Sequence, residues 1–237
     1  MMLKLNTFSI TARCERTNQF GVAVSTAVPG VGMLCPFVAS GVGAVATQSF
    51  VNPYLGIWGL EYLAQGHSAA ETVELLKQRD PGIPLRQFAV VDRHGGSAAF
   101  SGKGCDGWYG HRTGPNYAIA GNMLVGEATL EAMEASFSHT GDLPLVERLL
   151  EALKAGQNAG GDKRGKQSAA VKVYHLEDYP LVDLRVDEHT DPVPELLRVY
   201  GVARESLLPL IGYLPTRANP AGQFDMEDAR RRGLLQD

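Results

Sequence analysis

Thr7-Phe8-Ser9-Ile10-Thr11-Ala12 alternates in character and is rich in β-formers, and beyond a polar stretch, Arg13 to Gln19, Phe20-Gly21-Val22-Ala23-Val24-Ser25-Thr26 repeats the pattern. Period-two alternation on either side of a polar link predicts a β-hairpin. A stretch punctuated by proline and glycine, Pro29 to Pro36, leads to Gly41–Phe50 (GVGAVATQSF). That run is nearly all apolar and reads as a strand covered on both faces.

Working outward, two helices are expected next. Tyr54 to Gln65 carries Leu55, Trp58, Leu60, Tyr62 and Leu63, and Ser68-Ala69-Ala70-Glu71 has the spacing of a capping box that opens a helix to about Arg79. Strands return at Arg86–Val91 and Ser97–Ser101 around the turn Asp92–Gly96, and again at Tyr117–Leu124. Glu127–His139 and Leu143–Ala155 read as helices, the second with an apolar stripe of Val146, Leu149, Leu150 and Leu153. Strands at Ser168–His175 and Leu181–Val186 follow, then a helix from Asp191 to Tyr200. Strands therefore arrive in antiparallel groups separated by helix pairs. That order opposes a Rossmann or barrel fold and favours an α+β chain, with two sheets or one large sheet under helix pairs.

The chain has 237 residues, 44% of them hydrophobic, and a formal net charge of −4. Such a chain can bury a substantial core and has no global pull toward nucleic acid or an anionic membrane. One domain over 1–215 and a polar tail over 216–237, read as a flexible or partner-docked arm, are expected. Cys14, Cys35 and Cys105 have neither CxxC spacing nor an even count, which argues against a disulfide framework and a zinc site. No histidine pair has HxxxH spacing and no G-x-S-x-G elbow is present. The opening residues lack the apolar core of a signal peptide, and no apolar run reaches the roughly 20 residues of a membrane-spanning helix. A cytoplasmic protein with no metal and no cofactor is the expectation.

Several segments together resemble the DUF1028 family of bacterial proteins, grouped with the N-terminal-nucleophile (Ntn) hydrolases. They are Thr7–Ile10, Phe20–Val24, Gly41–Ser49, Gly110–Gly114, Gly121–Leu124 and the long motif Gly160-Gly161-Asp162-Lys163-Arg164-Gly165-Lys166-Gln167-Ser168-Ala169-Ala170. The resemblance spans about residues 6 to 200 and implies a four-layer αββα sandwich. It also implies a nucleophile standing at the start of the first strand, a position that Thr7 matches.

Ntn chemistry needs a Thr, Ser or Cys whose own α-amine, with a pKa near 8, takes the side-chain proton. Six residues precede Thr7, so in this sequence its nitrogen is an amide. Thr7 reads either as the nucleophile of a processed chain or as a buried hydroxyl on a strand. Asn122 reads as an oxyanion donor or as an asparagine closing a turn. Thr47 and Ser49 share one strand face and Gln48 points the other way. That face carries either core hydroxyls or groups that touch substrate.

Gly160-x-x-x-x-Gly165-Lys166 imitates a Walker A loop. Gln167 stands where Ser or Thr would be needed, and the loop runs from helix to strand rather than the reverse. It is better read as a glycine loop that brings Asp162, Lys163 and Arg164 to the sandwich edge, there to hold a substrate carboxylate or to form an ion-paired turn. His111, in what reads as a Gly-rich loop, lines an entrance or is structural. The expected activity is hydrolysis of a C–N amide bond in a small anionic metabolite. The alternative is a catalytically silent protein of the same fold that binds a metabolite or serves as an assembly subunit. Self-association is expected from the apolar run Leu207–Leu214.

Overall fold

A computed structural model describes residues 4–5, 7–223 and 225–233. The described chain forms two compact units, Met1–Leu196 and Leu197–Asp237. The first carries two antiparallel sheets. One holds β1 (Lys4–Leu5), β4 (Pro36–Ala39), β5 (Gly43–Phe50), β6 (Arg86–Asp92) and β7 (Ser97–Ser101) in the order β1-β5-β6-β7, with β4 also paired to β5. The other runs β11-β10-β3-β2-β9-β8, with β2 (Thr7–Arg13), β3 (Phe20–Thr26), β8 (Trp108–Gly114), β9 (Tyr117–Leu124), β10 (Ser168–Tyr174) and β11 (Pro180–Val186).

Period-two patterning explains how the sheets stack. In the first sheet Val45, Phe88 and Val90 point outward onto Leu55 and Leu63 of α1 (Pro53–Ala64) and Val73 and Leu76 of α2 (Ala69–Arg79). Their neighbours point inward: Ala44 and Ala46 pack on Phe20, Val22 and Val24, and Ala89 and Val91 on Ala118 and Ala120 of the second sheet. Phe8 and Gly21 face the opposite way, toward α3 (Ala128–His139) and α4 (Leu145–Asn158). A methyl group on Gly21 would lie 2.7 Å from Leu149, and one on Gly156 of α4 would lie 3.2 Å from Phe8. The layers are helix pair, sheet, sheet, helix pair, so the fold is the four-layer αββα sandwich that the resemblance implies. Alanines along both inner faces let the sheets meet at close range.

Local signals account for the helix ends. Ser68 Oγ accepts from Glu71 N–H and the Ser68 N–H donates to Glu71 at 2.8 Å, the reciprocal bonds of the expected capping box. Asn52 caps α1 ahead of Pro53, one residue earlier than the apolar pattern places the start.

Three strands escape the sequence reading, one of them the two-residue β1. β4 begins on Pro36 and is short, and β8 lies at the edge of its sheet with most of its residues partly exposed or exposed, so neither shows an apolar alternation. His111 and Arg112 therefore stand on a strand, not in a loop. All three cysteines are free and buried. In the second unit, α5 (Pro192–Ser206) continues from the first, and α6 (Leu208–Ile211) and α7 (Met226–Arg231) follow. Within the polar tail Asp225 caps α7, and Tyr213 Oη donates to Asp228 at 2.6 Å. Among the described residues no helix is long and apolar enough to cross a membrane.

Candidate functional site

Register places the pieces. Thr7 opens β2 opposite Thr26 of β3, and its hydroxyl donates to Thr26 Oγ1 at 3.3 Å. On the other side β2 pairs with β9 through Phe8↔Gly121. Continued by one residue, that antiparallel register sets Asn122 beside Thr7. The glycine loop closes the same end of the sheet. Asp162 bridges Leu124, Lys163 N–H donates to the Met123 carbonyl at 3.0 Å, and Val125 N–H donates to the Gly161 carbonyl at 3.2 Å. Gly161 has φ 58, and a side chain there would meet the Phe8 ring at 3.0 Å, so glycine is needed both for backbone conformation and for space. Thr7, Asn122 and the 160–166 loop are thus brought to one end of the second sheet.

The seam between the sheets at this end is a neutral hydrogen-bond network. Ser9 Oγ donates to Gln48 Oε1 at 2.8 Å. Gln48 Nε2 donates to Gln87 Oε1 at 2.8 Å and, at 3.4 Å, to the Thr7 carbonyl. Asn122 Nδ2 donates to the same Gln87 oxygen at 2.9 Å. Gln87 Nε2 in turn faces Ser101 Oγ at 2.8 Å and the carbonyls of Gly121 at 2.9 Å and Gly110 at 3.1 Å. Thr7, Ser9, Gln48, Gln87 and Asn122 are all fully buried. A buried amide without a partner costs about 1–3 kcal/mol, which is why these groups are tied to one another. One atom is left out: Asn122 Oδ1 is buried with no partner.

Gln48 and Gln87 are the residues that the sequence reading left aside. Strand parity correctly sends Gln48 away from Thr47 and Ser49, but which face lies inside depends on the second sheet. The available signal was a polar amide within each of two otherwise apolar strands, GAVATQSF and RQFAVV.

The other expected site residues scatter. Thr47 faces outward, its hydroxyl donating to the Asn52 carbonyl at 3.2 Å. Ser49 has φ 69, is buried, and hydrogen-bonds the Cys105 thiol; burial raises the Cys105 pKa and outweighs that bond. His111 Nδ1 lies 3.0 Å from Ser101 Oγ, which ties the ring to the Gln87 network, and desolvation lowers its pKa although the residue keeps solvent access. Asp162 is buried and forked by Arg164, with Nη2 at 2.7 Å and Nε at 3.1 Å. Arg164 is therefore engaged within its own turn, whereas Lys163 is exposed. Among the described residues no group of three or more His, Cys, Asp or Glu is placed to hold a metal ion.

A family model described as "Family of unknown function (DUF1028)" matches residues 7–196. Among solved structures, the chain is similar to protein SPO2555 from Silicibacter pomeroyi, itself assigned to that family model. The two share 31% identity over 92% of this chain and 99% of that one, with a TM-score of 0.85. Fainter similarities reach Anbu (ancestral beta-subunit) from Yersinia bercovieri, 14% identical over 88% of this chain and 98% of that one, TM-score 0.38. An Anbu (Gly-1) mutant from Hyphomicrobium sp. strain MC1 is 12% identical over 84% and 94%, TM-score 0.39. Both are too distant to bear on this chain's chemistry. None of the curated proteins matches.

Proposed function

We propose that this chain, which belongs to the DUF1028 family, is a cytoplasmic Ntn-type hydrolase that cleaves a C–N amide bond in a small anionic metabolite without a cofactor. The observation that carries the reading is the position of Thr7: first residue of an interior strand, at the sheet end shared with Asn122 and the glycine loop. With its nitrogen freed, Thr7 would hold a hydroxyl nucleophile and an amine base on one residue. The hydroxyl adds to the amide carbonyl and its proton passes to the amine, which then protonates the leaving nitrogen. Water hydrolyses the resulting ester. Asn122 spends one amide hydrogen on Gln87 and keeps a second for an oxyanion. Lys163 supplies a positive charge for the substrate's anionic group, while Asp162 and Arg164 hold the turn that presents it. His111 lies at the Ser101 side of the network. Removing the segment before Thr7 would also uncover the backbone edge at Ser49 and Phe50, which β1 now covers, leaving Thr47 farther out beneath α1.

That β1 pairing favours a second reading, a catalytically silent protein of the same fold that binds a metabolite or serves as an assembly subunit. Lys4 and Leu5 are built into the first sheet, which is what a retained segment would do. Intact-mass spectrometry on protein from its native host separates the two. Loss of residues 1–6, with amine release from a panel of small carboxylated amides that Thr7→Ala abolishes, supports hydrolysis. A full-length mass without amine release supports the second reading. A single domain over 1–215 and self-association belong to the same proposal. Leu207 and Leu214 are 50% and 43% exposed, and a monomer in light scattering at micromolar concentration would count against association.

A further inference from the structure

At the end of β2 opposite to Thr7 lies a pocket of about 410 Å³ whose lining includes Arg13, Cys14, Glu15, Arg16, Asn116 and Arg148. That volume falls in the range of small-molecule sites. Three guanidiniums around one cavity would ordinarily be matched by carboxylates. Here the acceptors are neutral. Arg13 donates to the side-chain oxygens of Asn116 at 2.9 Å and Asn18 at 2.6 Å. Arg16 donates to the carbonyls of Asp142 at 3.2 Å and Leu143 at 3.4 Å. Arg148 donates to the Phe137 carbonyl at 3.2 Å and stacks 3.9 Å over its ring. Glu15 is the one acidic residue in the lining. The Nε atoms of Arg13 and Arg148 are buried with no partner.

The arrangement is built rather than incidental. Asn18 and Asn116 both have positive φ, 55 and 67, and sit in the turns of the β2–β3 and β8–β9 hairpins. Two adjacent hairpins thus clamp Arg13 from either side. The electrostatics agree. Burial lowers the Arg148 pKa and the Arg16 charge lowers it further, with Cys14 opposing. Burial pushes the Cys14 thiol up, but hydrogen bonds from the Thr17 side chain and from the Thr17 and Arg16 backbones, with the Arg16 charge, more than reverse it.

We infer that this pocket binds a small, multiply charged oxyanion, a phosphate-bearing or polycarboxylate molecule, through Arg13, Arg16 and Arg148. An oxyanion would give fork-shaped acceptors to guanidiniums that have only neutral ones, and would relieve the repulsion between Arg16 and Arg148. The site stands about 20 Å along the strand from Thr7 and does not depend on the hydrolase reading.

Calorimetric titration of the full chain at low ionic strength, with inorganic phosphate and separately with citrate, tests it. A single-site isotherm with a Kd of about 1 mM or tighter is expected for at least one probe. Phosphate alone assigns the phosphate class, and citrate alone the polycarboxylate class. Arg16→Gln and Arg148→Gln are each expected to weaken that binding about tenfold, while Thr7→Ala leaves it unchanged. Arg16 stands in an exposed loop, so its variant reads binding even if Arg148→Gln folds poorly. No heat with either probe, or binding that Arg16→Gln does not weaken, overturns the inference.

Discussion

The two ends of β2 solve opposite problems with the same strand. At Thr7 the flanking groups are uncharged, fully buried and bonded to one another across the sheet seam. At Arg13 they are charged, gathered around an open volume and held by neutral acceptors. The difference follows from solvation. Between two sheets a charge would lose far more in desolvation than an amide does, so the polar groups there are Gln, Asn, Ser and Thr. At the hairpin end water reaches the guanidiniums, so cations can collect without carboxylates and remain available to an anion. A neutral seam suits a nucleophile whose chemistry would come from its own nitrogen, and a cationic rim suits recognition.

The sharpest way to break the contrast is at the centre of the seam. Gln87→Leu removes the acceptor of Gln48 and Asn122 and the donor to Ser101, Gly110 and Gly121. It should destabilise the protein by about 4 kcal/mol in urea unfolding, because several buried groups lose partners together. A loss below about 1 kcal/mol would mean that the seam is not a cooperative network. The hairpin end should respond through geometry instead. Gly95 has φ 84, and a methyl group there collides with the Asn116 side chain that holds Arg13. Gly95→Ala should therefore cost about 2 kcal/mol, and should weaken oxyanion binding while leaving the Thr7 end intact.

Smaller still, Thr7→Ala gives up one long hydrogen bond and should cost about 1 kcal/mol, so any loss of activity in that variant would be chemical rather than structural. The smallest expected effect is kinetic. The Cys14 pKa is lowered from the usual 9.0, while burial raises Cys105 and pushes Cys35 up to about 12. A depressed thiol pKa means more thiolate at a given pH below 9, so alkylation by iodoacetamide near pH 8 should mark Cys14 first. Peptide mass mapping that finds Cys35 or Cys105 modified first would erase this distinction between the two regions.

Much of the candidate site is legible residue by residue, and its assembly is not. Thr7, Asn122 and the Gly160–Gly165 loop lie far apart in the chain, and quoting them does not bring them together. The register of β2 with β9 and the bridge from Leu124 to Asp162 do that. Gln48 shows the limit most plainly: alternation tells that it opposes Thr47, but only the second sheet tells which of the two is between layers. His111 and Arg112 show another limit. An edge strand with Gly110, an exposed His111 and Gly114 has no burial pattern to read, because one of its edges is unpaired and none of its residues is fully buried.

By itself the sequence determined what short-range physics controls: the β2–β3 hairpin, the capping box at Ser68, the apolar stripe of α4, and the helix-to-strand context that rules out a phosphate loop. Those depend on residues within a few positions of one another. Tertiary structure alone decided which strand faces meet, that Gln87 would be the hub of a buried network, and that Arg13, Arg16 and Arg148 would share a cavity. Such outcomes depend on groups from tens of residues to more than a hundred residues apart arriving at one place, and no local periodicity encodes that meeting.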